Sequence, residues 1–343
     1  MKFVFLIVEY VPHQIVMIQE ILKNKDNYVL AYSVNEKYNI SNCFNERFEN
    51  YLLDNYSEDE ILFNISNFNP KIVVVGGWAF KRYNKIALKL RKNSDIPIVA
   101  YSDTQWRGDW SQKINCLISP FHLKKIFSHI WVSGIYQYEY ARKLGFKKNK
   151  IIFNSLSCDV EKFEKLPLNS EKQIYPKNFV YIGRFAPEKG IDYLMEAWNM
   201  IDDKEGWTLT LIGEGELNNK FVSKDVVIKG FMNHKDLLIE LNNSGCFILP
   251  STYEPWALVI HEAAAAGLPI VCTEVCGAAP HFVINDFNGF KVKSKSSLAL
   301  NLAMMQIIKK DTKELVKYSH RSRKLAKSIT PEIGVANLMS LIN

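Results

Sequence analysis

The 343-residue sequence has no apolar run close to the roughly 20 residues that a membrane-spanning helix needs. Its opening run, 3–8, stops at a glutamate and lacks the small-residue cleavage site of a signal peptide, so we expect a buried strand there. The six cysteines lie far apart, without a disulfide framework or the spacing of paired zinc ligands. We therefore expect a reduced, cytoplasmic protein with free thiols.

Several motifs of common nucleotide and metal enzymes are also missing. The sequence has no Gly-x4-Gly-Lys-Ser/Thr loop and no Gly-x-Gly-x-x-Gly after the first apolar run, which disfavours P-loop NTPases and ordinary dinucleotide dehydrogenases. It also lacks His-Glu-x-x-His, Cys-x-x-Cys and Asp-x-Asp. We therefore expect neither a metal ion nor a cofactor.

Short apolar runs alternate along the chain with longer segments of helical periodicity, a pattern typical of repeated βα units. The candidate strands are 2–8, 28–33, 71–75, 97–101, 129–132, 150–153, 178–182, 207–212, 226–229, 246–250 and 269–273. The candidate helices are 14–24, 81–93, 191–200, 257–266 and 296–310, with further helical pattern after about residue 311. The sequence predicts an α/β protein with two doubly wound parallel sheets and with binding sites at the carboxyl ends of strands.

The length and one irregular segment indicate two domains. Single cores rarely grow beyond about 250–300 residues, and 161–177 has two prolines, several charges and no clear periodicity, as a linker would. We predict an N-terminal domain over 1–160 and a C-terminal domain over 161–325. A final helical segment, 326–343, is expected to pack back on the N-terminal domain.

The positive charge is concentrated in one part of the sequence. Residues 81–150 contain 15 Lys and Arg against 4 Asp and Glu, whereas the whole chain has a net charge of +7. Such a region could contact anionic lipid, nucleic acid or an anionic substrate, or be a solvated surface. Because no nucleic-acid-binding motif is present, we expect no nucleic acid. The segment 121–127, which mixes apolar residues and lysines, suggests peripheral contact with a membrane.

The first chemically informative segment is 181–190, Tyr-Ile-Gly-Arg-Phe-Ala-Pro-Glu-Lys-Gly. A predicted strand ends at Gly183, where a missing side chain lets a ligand or backbone approach closely. Arg184 and Lys189 follow in one short loop, and two cations so placed could hold a diphosphate. The alternative is an ordinary surface loop.

The second informative segment, 251–269, runs from a predicted strand into a helix that we expect to start near 255–257. The free N–H groups of a helix start favour phosphate. Glu254 lies just before that start, and Glu262 lies within the apolar run 257–266. Because a carboxylate in apolar surroundings is costly without a partner, Glu262 is a candidate ligand-binding residue. The alternative is a glutamate that faces solvent.

Together these segments resemble the retaining GT-B glycosyltransferases of family 4, the glycosyl transferases group 1. The resemblance rests on Gly-Arg-x4-Lys-Gly, followed later in the chain by Glu-x7-Glu, and extends over about 178–295. The turn 285–289, Asn-Asp-Phe-Asn-Gly, is similar to the family's Asp-Gly-x-Asn-Gly turn. The segment 154–163 looks like a worn version of the one that closes the first domain in this family.

The resemblance implies two Rossmann-like domains that face a cleft. It also implies a metal-independent hexosyltransferase that moves a sugar, with retained configuration, from a nucleotide-sugar to a hydroxyl group. We expect a UDP-sugar rather than a GDP-sugar as the donor, and a glycan or lipid-linked acceptor. The setting would be cell-surface polysaccharide or glycolipid synthesis, at the inner face of the cell membrane. The alternatives are a nucleotide-sugar epimerase of the same fold and a non-catalytic nucleotide-sugar-binding partner subunit.

The resemblance also implies roles for particular residues. The implied donor-binding residues are Gly183, Arg184, Lys189, Glu254, Trp256, Ala257, Leu258 and Glu262. The two cations would neutralise the diphosphate, Glu262 would bind the ribose hydroxyls and Glu254 those of the transferred sugar. Backbone N–H groups of 256–258 would contact sugar and phosphate. In this family the leaving phosphate is thought to take the acceptor proton, so no nucleophile from the enzyme is needed.

The first half of the chain departs from the family pattern. Many relatives have a glycine pair after the first strand, where this chain has Glu-Tyr-Val-Pro-His at 9–13. Relatives often have a histidine after the strand that corresponds to 97–101, where this chain has Ser-Asp-Thr at 102–104. Asp103 is therefore, with Glu254, our candidate catalytic residue, and a turn or helix-cap aspartate is the alternative.

Other side chains near Asp103 could line the same cleft. His13 is one candidate. Trp78, Trp106 and Trp110 could form an aromatic platform for a sugar ring, with core packing as the alternative.

Overall fold

The computed structural model describes residues 1–35, 40, 42–216 and 225–342. The chain folds into two compact units. Unit 1 consists of 1–158 together with 329–343, and unit 2 consists of 159–328. Each unit has its own parallel sheet with helices between successive strands.

The sheet of unit 1 has seven strands, and every pair of neighbours is parallel. The strands are β1 (Lys2–Ile7), β2 (Tyr28–Ser33), β3 (Phe48–Leu52), β4 (Ile72–Val75), β5 (Ile98–Ser102), β6 (His129–Val132) and β7 (Ile151–Ile152). They are ordered β3-β2-β1-β4-β5-β6-β7. The direction of winding therefore reverses between β1 and β4, where open α/β sheets bind ligands.

The helices of unit 1 cover both faces of this sheet, on two separate apolar clusters. They are α1 (Pro12–Lys23), α2 (Glu58–Phe68), α3 (Lys81–Asn93), α4 (Trp110–Ile118), α5 (Leu123–Ile126) and α6 (Ile135–Lys143). Local sequence sets their starts: α1 has proline at its first position, and Ser57 and Glu60 form a capping box at the start of α2.

Unit 2 contains a six-stranded parallel sheet in the order β10-β9-β8-β11-β12-β13. Its strands are β8 (Asn178–Ile182), β9 (Thr208–Ile212), β10 (Val226–Lys229), β11 (Cys246–Leu249), β12 (Ile270–Thr273) and β13 (Gly289–Val292). Its helices are α7 (Val160–Glu164), α8 (Ile191–Asn199), α9 (His234–Asn242), α10 (Leu258–Ala265), α11 (Ala279–Phe282), α12 (Ser297–Ile308) and α13 (Thr312–Ala326). Here the winding reverses between β8 and β11.

The last helix, α14 (Pro331–Met339), belongs to unit 1 and packs against α1. The two helices approach closely at Gly334, where an added Cβ would lie 2.5 Å from the carbonyl oxygen of Asn154 and 2.7 Å from Cε of Met17. The side chain of Asn337 donates a hydrogen bond of 3.2 Å to the carbonyl oxygen of Phe153. These contacts hold α14 in place against α1 and the segment that follows β7.

The two doubly wound sheets confirm the predicted α/β fold class. The sequence did not predict β3 and β13, and both are edge strands of their sheets. An edge strand needs fewer apolar residues than a central one, and Phe-Glu-Asn-Tyr-Leu and Gly-Phe-Lys-Val are correspondingly mixed. No helix in the described part of the chain is long and apolar enough to cross a membrane.

Candidate functional site

Both motif segments of unit 2 lie at the point where its sheet reverses. The segment 183–190 follows β8 and the segment 250–257 follows β11, and these two strands are direct neighbours. Because the strands are parallel, the two loops leave the sheet at the same edge. The sequence motifs therefore meet at the position that the fold favours for a ligand.

Glycine allows the first loop to reach the second. Gly190 has φ of +67°, and an added Cβ would lie 2.2 Å from the carbonyl oxygen of Pro250. At Gly183 an added Cβ would lie 2.7 Å from the hydroxyl oxygen of Tyr181, which donates a 2.8 Å hydrogen bond to the carbonyl oxygen of Arg184. Side chains at either glycine would push these groups apart.

Hydrogen bonds then fasten the two loops together. The backbone N–H of Thr252 donates to the carbonyl oxygen of Glu188 at 2.8 Å, and the Thr252 hydroxyl donates to the same oxygen at 3.2 Å. Farther along, the N–H of Gly277 donates to the carbonyl oxygen of Glu254 at 3.1 Å. The second loop is therefore held from both sides, by residues that sequence reasoning did not single out.

Lys189 and Glu254, 65 residues apart, form an ion pair between Nζ and Oε2. Both side chains are largely buried, and the hydroxyl of Ser251 lies 3.4 Å from the same carboxylate oxygen. A charge-assisted hydrogen bond in partly buried surroundings fixes both side chains more firmly than a surface pair would. Two of the predicted site residues are thus in direct contact.

Arg184 lies on the same loop but contacts a different carboxylate. Its Nη2 lies 2.7 Å from Oε1 of Glu188, and its side chain is 75% exposed. Exposed ion pairs contribute little to stability, so this guanidinium can turn to another anion at small cost. In this structure the two predicted cations are bound to separate acids.

The start of α10 differs from the sequence expectation. The helix begins at Leu258, just beyond the range 255–257 in which we expected its start, so Pro255 precedes the helix. The residue before the helix, Ala257, has φ of +74°, a strained conformation for a residue with a Cβ. Trp256 is buried against His281 and Phe282. Its indole is therefore covered, whereas the first N–H groups of α10 lie at the edge where the motif loops meet.

Glu262 lies about one turn inside α10, whereas Glu254 precedes the helix. Burial raises the pKa of its carboxyl from 4.5 to about 7, and the nearby charge of Lys162 on α7 partly offsets the increase. The carboxyl therefore changes its protonation state near neutral pH.

We expect Glu262→Gln to remove a pH dependence of stability. Because the folded-state pKa is raised, the native state holds a proton that the unfolded state loses, and the free energy of unfolding falls as pH rises from about 4.5 to about 7. The variant should match the wild type below pH 4.5 and be more stable than it at pH 8. Urea unfolding across this range measures the difference. Parallel curves for the two proteins would contradict the raised pKa.

Unit 1 contains a cavity of about 350 Å³ at the carboxyl ends of β1, β4 and β5. Three residues singled out from the sequence line it: Asp103, His13 and Trp78. Asp103 is exposed to solvent, and its carbonyl oxygen accepts a 3.2 Å hydrogen bond from the side chain of Gln137. The structure therefore brings Asp103 and His13 to one cavity within unit 1.

The wall of this cavity holds a neutral histidine. The rings of His13 and Tyr101 stack with 7° between their planes and 6.1 Å between their centroids. Burial lowers the pKa of His13 to about 3, so the imidazole is uncharged at neutral pH. The buried hydroxyl of Tyr101 has no hydrogen-bond partner among the described residues. The cavity thus offers uncharged polar groups beside the Asp103 carboxylate.

Sequence reasoning missed a glycine pair in the same cavity. It looked for such a pair after β1, whereas Gly76 and Gly77 follow the neighbouring strand β4. Gly77 has φ of +83°, and a Cβ at Gly76 would lie 3.3 Å from the carbonyl oxygen of Leu6. The run Val-Val-Val-Gly-Gly at 73–77 was the available signal, since a strand that ends in two glycines indicates close approach of a backbone or ligand.

The three tryptophans do not share one surface role. Trp78 lines the cavity. Trp106 packs on Tyr140, with ring centroids 5.8 Å apart, and Nζ of Lys143 lies 4.8 Å from its ring. Trp110 opens α4 and is exposed. Core packing, our alternative to an aromatic platform, therefore holds for Trp106 and is wrong for Trp110.

Comparison with known proteins extends these observations. Residues 161–325, just under half of the chain, match the model of the family described as "Glycosyl transferases group 1". The matched range contains both motif loops and the Lys189–Glu254 pair. The predicted resemblance to glycosyltransferases is thereby confirmed for this part of the chain.

Two curated relatives match a similar portion. An "Uncharacterized 41.2 kDa protein in cps region" of Klebsiella pneumoniae is 28% identical over 190 residues, 53% of this chain and 52% of that protein. The N,N'-diacetylbacillosaminyl-diphospho-undecaprenol alpha-1,3-N-acetylgalactosaminyltransferase of Campylobacter jejuni is 28% identical over 177 residues, 48% of this chain and 46% of that protein. The chain thus spans about half the length of these relatives.

Solved structures match over nearly the whole chain. A glycosyltransferase from Rickettsia africae superposes with a TM-score of 0.77 at 14% identity, covering 99% of this chain and 97% of that one. Anabaena HepE, solved in complex with UDP-glucose, gives a TM-score of 0.74 at 16% identity, covering 99% and 100%. At these identities the likeness establishes the fold, which is the GT-B fold predicted from the sequence.

Proposed function

We propose that this protein is a glycosyltransferase that moves a sugar from a nucleotide-sugar donor to a hydroxyl group of a glycan or lipid-linked acceptor. The observation that carries the proposal is the convergence of two motif loops at the reversal point of the second sheet. There Lys189 and Glu254 are joined directly, and the start of α10 lies at the same edge. The family match over the same residues supports this assignment.

The chemistry that we propose is electrostatic. Arg184 and Lys189 neutralise the charge that develops on the leaving diphosphate, which lowers the barrier most when water is excluded. Glu254 holds hydroxyls of the transferred sugar, and its ion pair orients Lys189. Glu262 binds the ribose hydroxyls. Membership of family 4, retention of configuration, a UDP-sugar donor and independence of metal are parts of the same proposal.

The proposed acceptor site is the cavity of unit 1. Asp103 lies at its rim as the polar group for an acceptor hydroxyl, and His13 supplies an uncharged hydrogen-bonding group. The name of the Campylobacter relative specifies a diphospho-undecaprenol acceptor, which supports a lipid-linked acceptor here. Cell-surface polysaccharide or glycolipid synthesis at the inner membrane face is the proposed setting.

A thermal-shift screen of UDP, GDP, ADP and their sugars tests donor binding, because a ligand that binds the native state raises the melting temperature. We expect UDP and UDP-sugars to give the largest increase. Sugar transfer or slow donor hydrolysis should then be detectable. Binding without either reaction would indicate a non-catalytic subunit, and conversion of the donor sugar into its isomer would indicate an epimerase.

Arg184→Ala should raise the dissociation constant for the preferred nucleoside diphosphate about 10- to 100-fold, since one charge-assisted hydrogen bond contributes about 1.5–3 kcal/mol. Stability should be nearly unchanged because the Arg184–Glu188 pair is exposed. Lys313→Ala removes a cation from an exposed position on α13 and is the matched control. Calorimetry measures both, and equal affinities for Arg184→Ala and the wild type would refute the role of Arg184.

A further inference from the structure

Helix α4 buries its polar side and exposes its apolar side, which is the reverse of an ordinary surface helix. Its buried residue is Gln112, whose side-chain oxygen accepts hydrogen bonds from the backbone N–H groups of Arg107, at 2.6 Å, and Gly108, at 3.3 Å. The side-chain nitrogen of Gln112 donates to the carbonyl oxygen of Gln105 at 2.8 Å. The polar side of α4 is thus satisfied within unit 1, and the apolar side faces outward.

The outward side carries five large apolar side chains from α4 and the turn that follows it. Their exposed fractions are 78% for Trp110, 55% for Ile114, 76% for Leu117, 44% for Ile118 and 75% for Phe121. At 100° per residue, the four in the helix fall within an arc of about 100°, opposite Gln112. Scattered exposed apolar residues are normal, but a continuous stripe of this kind marks a contact surface.

Lysines adjoin this stripe. Lys113 projects from α4 with its Nζ 4.7 Å from the ring of Trp110, and Lys124 and Lys125 lie exposed on α5 just after Phe121. Within the described ranges, no carboxylate forms a salt bridge with any of these three lysines. The stripe therefore combines apolar side chains with uncompensated positive charge.

The rest of the basic region is less positive than its composition indicates. On α3, Lys89 lies 3.0 Å from a carboxylate oxygen of Asp59, and Arg82 lies 3.2 Å from one of Asp54. Acids on or next to α2 thus compensate part of the charge counted in 81–150. Lys113, Lys124 and Lys125, by contrast, lie directly beside the apolar stripe.

We propose that the surface formed by α4, residues 119–121 and α5 is a docking site for an anionic lipid bilayer. Leu117, Ile114 and Phe121 would enter the boundary between headgroups and acyl chains, and Trp110 would lie at the headgroup level, where tryptophan is favoured. Lys113, Lys124 and Lys125 would contact anionic headgroups. The lysines favour an anionic bilayer over a second copy of this chain as the partner, because a dimer formed through this surface would bring like charges together.

This proposal does not depend on sugar transfer, and its test uses no sugar nucleotide. The full-length protein is mixed with vesicles of phosphatidylcholine alone or of phosphatidylcholine with phosphatidylglycerol, and flotation measures the bound fraction. We expect binding to the anionic vesicles only, with a decrease at high salt. Leu117→Asp/Phe121→Asp should weaken binding at least about tenfold, because burial of two large apolar side chains is lost.

Phe63→Asp is the matched control. Phe63 is 66% exposed and lies on α2, which is not part of the proposed docking surface. It should bind as the wild type does. Lys124→Glu/Lys125→Glu tests charge without altering an apolar residue, and it should also lose binding. Equal binding by all variants, or none by the wild type, would overturn the proposal. The proposal would also be overturned if the wild type bound no vesicles but formed a dimer in size-exclusion chromatography, and if Leu117→Asp/Phe121→Asp converted that dimer to a monomer.

Discussion

Replacing Gly190 with alanine is expected to lower the free energy of unfolding by about 2–5 kcal/mol. Two costs add at this position. An alanine in the left-handed conformation, here φ of +67°, costs about 1–2 kcal/mol, and the new Cβ would lie 2.2 Å from the carbonyl oxygen of Pro250. Because that oxygen belongs to the backbone, relief requires the two motif loops to separate. Urea unfolding measures the loss.

Gly206→Ala is the control that separates these two costs. Gly206 has a similar backbone conformation, with φ of +79°, but the nearest atom to an added Cβ is Cδ of Lys177, 4.0 Å away. We expect only the conformational cost of about 1–2 kcal/mol there. If the two variants lost the same stability, the close approach between Gly190 and Pro250 would have no energetic consequence and the tight docking of the loops would be contradicted.

The same pair of variants separates stability from ligand binding. Movement of Gly190 away from Pro250 would also displace Lys189, the adjacent residue, and break the hydrogen bonds from Thr252 to Glu188. We therefore expect Gly190→Ala to lose nucleoside-diphosphate affinity, and Gly206→Ala to keep it. The loop glycine thus connects the fold of unit 2 directly to its proposed site.

The sequence predicted the central strands well because parallel strands that are covered on both faces must be nearly continuous in apolar residues. Val73, Val74 and Val75 in β4, like Phe247 and Ile248 in β11, leave little choice of structure. The edge strands β3 and β13 lack this constraint, because solvent can accommodate polar residues there. Periodicity therefore located the strands that position the site, and the two strands that it missed, β3 and β13, both lie at sheet edges.

The sequence also did not predict which side of helix α4 is exposed. Apolar residues at helical spacing are ordinarily placed in a core, and Trp110 was given core packing as its alternative role. The structure reverses this because Gln112 satisfies three backbone groups at the entry to the helix, and those bonds hold the polar side inward. Which side of an amphipathic helix is buried depends on hydrogen bonds that no periodicity shows.

The motif residues were identified from the sequence, but their partners were not. Lys189 and Glu254 were expected to bind parts of one donor, and nothing in the sequence indicated that they also pair with each other across 65 residues. Likewise, the acid that pairs with Arg184 is Glu188. The Lys189–Glu254 pair depends on how the two loops meet at the edge of the sheet, where Gly190 docks on Pro250, whereas the Arg184–Glu188 pair forms within a single loop.

Replacing Lys189 with methionine is expected to have the largest effect on activity. Loss of the cation removes a contact to the leaving diphosphate, and removal of one such preorganised group typically lowers kcat about 10²–10³-fold. It also leaves the carboxylate of Glu254 buried without its charge partner, at a cost of about 3 kcal/mol in stability. Transfer kinetics and urea unfolding measure the two effects separately.

The matched control is Lys310→Met. Lys310 is also a largely buried lysine in an ion pair, with Nζ 3.0 Å from Oδ1 of Asp286, but it lies after α12 and outside the motif loops. Its replacement should cost less stability, because Asp286 is exposed and water can solvate the remaining carboxylate. Its kcat should match that of the wild type. A similar decrease of kcat in both variants would show that loss of stability, rather than loss of the Lys189 cation, lowers the activity.

Glu254→Gln completes this test because it neutralises the other member of the pair while keeping the size of the side chain. Lys189 then keeps its charge and can still bind the diphosphate, so nucleotide affinity should change little. Transfer should fall more strongly, since the carboxylate that would hold the sugar hydroxyls is lost. Equal losses of nucleotide affinity and transfer would mean that Glu254 acts only by orienting Lys189. The ion pair would then serve only to position Lys189, and other residues would bind the transferred sugar.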